Sequence, residues 1–221
     1  MAEQSVFFKA GELKLHGMFS SAPAKTDGFP ATPRPPAVIC HPHPTYGGTM
    51  DNNVVVAVAR TLGETGHATL RFNFRGVERS EGRYGEGTGE IEDVRAAIKF
   101  VKKSAPSSDT PVVLAGYSFG SWVAANALAG ESSVSHVILV APPTSMFDFA
   151  TLVKDKEERA RHIIVGERDQ FCDRDKLEKI FEQLPEPKTM RVIPRADHFF
   201  FGREGMLIEA VKEAVADHIA M

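Results

Sequence analysis

Short, β-branched apolar runs alternate along this chain with stretches whose apolar residues recur every three or four positions, and that alternation most narrows the folds available. The runs are Ala37 to Cys40, Ala68 to Phe74, Val112 to Ala115, Val134 to Val140, His162 to Val165 and Met190 to Ile193. Runs this short and this continuously apolar suit strands covered on both faces, which is the condition of a parallel sheet. The connecting stretches carry the helical period. Ile91, Val94, Ile98 and Val101 share one face while Glu92, Asp93, Arg95 and Lys99 take the other, which predicts an amphipathic helix. Leu177, Ile180, Phe181 and Leu184 predict a second, with Asp173 as N-cap and Pro185 closing it. Ile208, Val211, Val215 and Ile219 predict a C-terminal helix docked on the sheet. Val6 to Lys9 and Leu13 to Met18, divided by Gly11, predict an antiparallel hairpin leading into the sheet. The expected architecture is a mostly parallel, twisted sheet of about eight strands with helices on both faces.

Composition bounds the function. The 221 residues, 43% hydrophobic and 25% charged, fit one soluble globular domain spanning the chain. A net charge of -3 offers no footprint for nucleic acid or an anionic membrane, so the expected partner is a small molecule. Cys40 and Cys172 alone make neither a disulfide scaffold nor a thiolate zinc site. Met1 to Gly11 lacks the pattern of a secretory leader, and no apolar stretch reaches membrane-spanning length. The expectation is a cytoplasmic protein; oligomeric state is left open between monomer and homodimer. Pro23, Pro30, Pro33, Pro35 and Pro36 forbid regular structure between Ser20 and Pro36, which reads as an exposed excursion within the domain.

Gly116-Tyr117-Ser118-Phe119-Gly120 follows the run Val112 to Ala115 and precedes a small-residue, helix-forming stretch from Ser121 to Gly130. A G-x-S-x-G at a strand-to-helix turn holds its serine in a strained backbone conformation with the hydroxyl at the tip, and the glycines admit neighbouring backbone. The helix starting there supplies N–H groups and a positive dipole end to a developing oxyanion. The bland alternative is a tight turn with an incidental serine. A serine hydroxyl needs a general base, and the base an orienting carboxylate. After the His162 run comes Gly166-Glu167-Arg168-Asp169, and after the Met190 run comes Ala196-Asp197-His198. Ser118, Asp169 and His198 thus fall in the order nucleophile, acid, base, each just past the C-terminal end of a predicted strand. Asp197, Asp173 and Glu167 compete for the acid role. Asp169 ranks first, because residues adjacent in sequence, as Asp197 and His198 are, seldom meet edge on.

The stretch His41-Pro42-His43-Pro44-Thr45-Tyr46-Gly47-Gly48-Thr49-Met50-Asp51-Asn52, followed by Phe72 to Val77, the serine pentapeptide and Ala196 to His198, resembles the dienelactone-hydrolase-like branch of the α/β-hydrolase superfamily. It departs at Glu78, where that branch usually carries glycine. The resemblance implies an α/β-hydrolase fold, serine-hydrolase chemistry without cofactor or metal, and a second oxyanion donor in the turn after the third strand. His43 is the candidate for that backbone N–H and Tyr46 the reserve, acting beside the N–H of Phe119. Dienelactone hydrolases proper use a cysteine nucleophile, so with Ser118 here lactone opening is not carried over.

Other residues admit two readings. The His41 and His43 rings serve either as pins for a proline-rich loop, which is preferred, or as a metal pair lacking its further ligands. Gly85, Gly87 and Gly89 do not directly follow a strand, so a flexible loop is preferred over a phosphate cradle. Arg75 either binds a substrate carboxylate or ties down the Val77 to Gly89 loop, the second being favoured. Tyr46, Tyr117, Phe171 and Phe199 are the remaining candidates for substrate contact; Phe200 and Phe201 flank the same base, and Trp122 reads as packing. His16, His67, His136, His162 and His218 read as structural. Pro142 to Arg161, with Met146, Phe147 and Phe149, is too short for more than a small cap, which predicts little or no lid and an accessible site. The leading expectation is hydrolysis of small carboxylic esters through an acyl-enzyme, with an acyl thioesterase as alternative and a catalytically silent ligand-binding or scaffold protein as the non-enzyme alternative.

Overall fold

The computed structural model describes residues 3–22, 34–105, 107 and 109–216. The hairpin forms and is longer than its apolar core suggests: β1 (Glu3–Ala10) pairs antiparallel with β2 (Leu13–Ser20). Gly11 supplies a left-handed φ of 60° to the turn. Then follow β3 (Ala37–Cys40), α1 (Asn53–Glu64), β4 (Thr69–Phe72), α2 (Thr88–Lys102), β5 (Val112–Tyr117), α3 (Phe119–Ala127) and β6 (Val134–Val140). The short α4 (Ala150–Lys154), β7 (Ala160–Gly166), α5 (Arg174–Gln183), β8 (Lys188–Ile193) and α6 (Glu204–Ala214) complete the order. All eight strands join one sheet in the order β1-β2-β4-β3-β5-β6-β7-β8, with β3 to β8 parallel to their neighbours among themselves and β2 antiparallel to β4.

Each face of the sheet has its own core, which is why the central strands β3 and β5 are buried along their whole length and carry no charged residue. Along β5, Val112 and Leu114 pack with α2 and α3 residues such as Val94, Ile98 and Val123, whereas Val113, Ala115 and Tyr117 join Val55, Leu62 and Val211 of α1 and α6. Alternate side chains of one strand therefore fill opposite layers. Asp173 caps α5 by accepting from the Lys176 N–H, as its position before the periodic run predicts. In the C-terminal helix Val211, and Val215 just past its end, are buried as expected, while Ile208 is only half-buried and Leu207, Ala210 and Ala214 complete the docked face. Ile219 and His218 lie outside the described residues, as do Pro23, Pro30 and Pro33. Among the described residues no helix is long and apolar enough to cross a membrane.

The parallel strands all point the same way, so the turns after β3, β5, β7 and β8 gather at one edge. Between β6 and β7 the only regular element is the five-residue α4, and nothing larger covers that edge there.

Candidate active site

Ser118 follows β5 directly and stands at the start of α3 with φ 55° and ψ -123°, a conformation that non-glycine residues adopt only when their surroundings enforce it. The enforcement is visible in the flanking glycines. A Cβ on Gly116 would lie 2.2 Å from the Gly120 carbonyl oxygen, and one on Gly120 would lie 2.5 Å from the carbonyl oxygens of Cys40 and His41. This close approach seats the serine turn against the β3 turn. Gly166 does the same on the other side, where a Cβ would come within 2.5 Å of the Ala196 oxygen, so the turn after β7 and the turn after β8 share one surface.

These contacts bring three side chains together. Ser118 Oγ lies 2.9 Å from His198 Nε2. His198 Nδ1 lies 2.9 and 3.0 Å from the two oxygens of Asp169, whose side chain is fully buried. A carboxylate only accepts, so Nδ1 carries the ring proton and Nε2 is left free to accept from the serine. Asp169 Oδ1 also accepts the Phe171 N–H, which fixes the carboxylate's rotation. The competing acids are engaged elsewhere: Asp173 caps α5, Asp197 accepts from the Phe199 N–H, and Glu167 accepts from the Arg195 N–H. Tyr117 stays beneath the ring and donates its hydroxyl to the His198 carbonyl; burial pushes its phenol pKa up.

A cleft of about 510 Å³ opens over Ser118 and His198, lined also by His43, Tyr46, Asn52, Tyr117, Phe119, Met146, Phe147, Phe171 and Phe199. Phe171 and Phe199 meet the His198 ring edge-on with centroids 4.7 and 5.5 Å away. Phe200 is wholly buried on the α6 face, while Phe201 points outward. Of the two readings of Arg75 the favoured structural tie stands and the substrate-contact candidate is corrected: its guanidinium and its N–H both bind Asp93, which is buried in α2 rather than solvent-facing as its place in the period predicts, and Arg75 does not line the cleft. The glycine-rich loop is anchored, not loose, because Glu90 accepts from the N–H groups of Gly85 and Gly87 and so occupies the amides a phosphate would need. Trp122 packs on Phe147 and donates to the Asp148 carbonyl.

The loop after β3 is held by its histidines. His41 is buried, with Nδ1 2.6 Å from the Pro42 carbonyl and Nε2 accepting the Phe74 N–H; burial lowers its pKa to about 4, so the ring stays neutral. His43 Nδ1 accepts the Thr45 N–H, and Nε2 lies 3.1 Å from the Tyr84 hydroxyl. Among the described residues no protein group accepts the N–H of His43 or of Phe119. Tyr46 is largely exposed at the rim. Elsewhere His16 bonds Ser5, His67 bonds the Pro35 carbonyl, and His136 stacks on His162.

Sequence reading missed Tyr84, Asn52, Pro143 and the anchoring roles of Asp93 and Glu90. Both acids are buried along with Val94, Ala97 and Val101 of α2, although the helical period places Asp93 on the face expected to meet solvent. The departure at Glu78 also finds its reason. Residue 78 has φ 49°, which glycine adopts without cost, and the glutamate gains in exchange a 2.6 Å bond from the Asn73 side-chain amide.

The profile of the α/β-hydrolase domain family matches residues 37–220. An α/β serine hydrolase homologue from Coxiella burnetii is 33% identical, with a TM-score of 0.83 over 96% of this chain and 97% of its own. A lidless α/β serine hydrolase from Xanthomonas campestris is 29% identical, with a TM-score of 0.86 over 100% and 97%. An uncharacterized protein of Rickettsia prowazekii is 29% identical over 88% of this chain and 81% of its own. The chain therefore belongs to the α/β-hydrolase superfamily.

Proposed function

We propose that the chain hydrolyses small, uncharged carboxylic esters through an acyl-enzyme on Ser118. The observation that carries this reading is the continuous hydrogen-bonded run from Ser118 through His198 to the buried Asp169, opening onto an apolar cleft. In this scheme His198 Nε2 takes the hydroxyl proton as Ser118 Oγ bonds to the acyl carbon, and the N–H groups of Phe119 and His43 receive the negative oxygen. Collapse breaks the ester C–O bond, and His198 returns the proton to the departing alcohol. A water molecule, deprotonated by the same ring, then attacks the acyl group; the acid leaves and Ser118 regains its proton. Asp169 keeps the ring in the Nδ1–H tautomer and stabilises the imidazolium between steps.

Among the cleft residues there is no Asp, Glu, Lys or Arg, and Arg75, the nearest sequence candidate for a carboxylate, is paired with Asp93. A substrate carboxylate would enter an apolar site without a counter-ion, which is unfavourable. The test compares p-nitrophenyl butyrate with the p-nitrophenyl hemiester of succinate, in wild type and in Ser118→Ala. Turnover of the butyrate at least about 10-fold above the hemisuccinate, abolished in the variant, is the expected result. Equal rates, or preference for the charged ester, would remove the neutral-substrate part of the reading; activity surviving in Ser118→Ala would remove the whole of it. A butyryl thioester run alongside decides between oxygen and sulfur leaving groups.

A further inference from the structure

Tyr84 lies outside the cleft yet touches the residue that offers the second N–H, and that juxtaposition has no role in the scheme above. It sits in the loop between β4 and α2, whose two ends are fastened by Arg75 to Asp93 and by Glu90 to the amides of Gly85 and Gly87. Its hydroxyl lies 3.1 Å from His43 Nε2, and its ring centroid is 5.1 Å from that of His43. On the far side His43 packs on Phe119, whose N–H is the other oxyanion donor, with centroids 4.5 Å apart.

The tautomer of His43 follows from its partners. The Thr45 N–H can only donate, so Nδ1 carries a lone pair, and in the neutral ring the proton sits on Nε2 facing Tyr84. Burial lowers the His43 pKa and keeps the ring neutral. Both ring nitrogens are therefore engaged, and rotation of the ring would break both bonds.

We infer that Tyr84 is a positioning residue: by accepting from His43 Nε2 it fixes the ring against Phe119 and thereby holds the His43 N–H aimed at the developing oxyanion. The inference rests on the ester-hydrolase reading. Oxyanion donors act through placement relative to the negative oxygen, so a donor set loose gives up part of the roughly 10²–10³-fold in rate that a whole donor contributes. The uncharged ground-state ester feels that loss far less than the tetrahedral intermediate does.

The experiment measures Tyr84→Phe against wild type with p-nitrophenyl butyrate and with an alkyl trifluoromethyl ketone, which forms a hemiketal oxyanion on the serine. Phenylalanine keeps the ring and its packing and removes only the acceptor. The expected result is a kcat lowered by about 5- to 50-fold, a KM within about twofold of wild type, and ketone affinity weakened by the same factor as kcat/KM. Unchanged kcat and ketone affinity, with Ser118→Ala inactive, would overturn the role of Tyr84 while leaving the hydrolase reading intact. A rise in KM matching the fall in kcat/KM would likewise overturn it, marking a loop contact rather than oxyanion positioning. Activity that survives in Ser118→Ala would overturn both together.

Discussion

On the β5, β7 and β8 side of the cleft, side chains meet one another at 2.9 to 3.0 Å. On the β3 side the cleft is lined by His43, Tyr46 and Asn52, and behind them His41, Asn73 and Tyr84, none of which lines the cleft, hold the loop by accepting the N–H groups of Phe74 and Met50 and by bonding the His43 ring. The first side is built from residues whose chemistry cannot be exchanged. The second is built from a shape that several side-chain networks could have produced. Mutations should therefore separate the two sides, with losses of rate on the first and losses of stability or alignment on the second.

The largest contrast is expected on the first side. His198→Ala should lower kcat/KM for p-nitrophenyl butyrate by about 10⁴-fold or more, and Asp169→Asn by about 10⁴-fold, because the amide turns its ring partner into the wrong tautomer. Asp197→Asn, one residue from the base, should stay within about twofold. A comparable loss at Asp197 would mean that the acid has been assigned to the wrong turn.

Acid should act on the second side. The unfolded chain protonates His41 as pH falls through 6.5, whereas the folded chain does so only near 4. Stability is thus full above the first value and is lost between the two, by about 3 kcal/mol for this ring. Burial lowers the pKa of His16 and His43 as well, which adds in the same direction. Urea unfolding at several pH values between 7.5 and 4 measures the slope, and His41→Gln should flatten it; an unchanged slope would detach His41 from acid sensitivity.

A smaller effect tests the seam between turns. Gly166→Ala places a methyl 2.5 Å from the Ala196 oxygen and 2.7 Å from the Asp197 oxygen, which should cost about 1–3 kcal/mol and displace His198. Thermal denaturation and kcat in one preparation check both. The smallest effect is expected at Glu78→Gly, where relief of the left-handed backbone and loss of the Asn73 bond oppose each other. The net change should lie within about 0.5 kcal/mol, whereas Glu78→Ala, which loses the bond and keeps the strain, should destabilise by about 1 kcal/mol.

The same contrast explains what could be read from the chain. The meeting of Ser118, Asp169 and His198 was legible because the proposed nucleophile, acid and base each require a particular side chain, and each follows a run of apolar residues that marks a strand. The existence of strands β3 to β8 and the α5 cap were legible for related reasons of period and chemistry, whereas the β2-β4-β3-β5 order of the sheet was not. His43 and Phe119 could be named only by resemblance and by position at a helix start, since any residue supplies an N–H. Arg75 was ambiguous because its partner Asp93 is distant in sequence and lies on α2, where the period marked it as solvent-facing although it is buried. Tyr84 was invisible for lack of any pattern tying a loop tyrosine to a histidine 41 positions away. In α6 the period found Val211 and Val215 but took Ile208 for the buried residue of the first turn, because Leu207 and Ile208 are adjacent and equally apolar and only docking decides which is buried.

The most direct measurement is reaction with a fluorophosphonate followed by peptide mapping, in wild type and in His198→Ala. The expected result is a single adduct on the Ser118 hydroxyl that forms readily in the first protein and nearly vanishes in the second. A folded wild-type protein that takes no label, takes it on a different residue, or takes it equally well without the imidazole would contradict the view that this ring activates this serine.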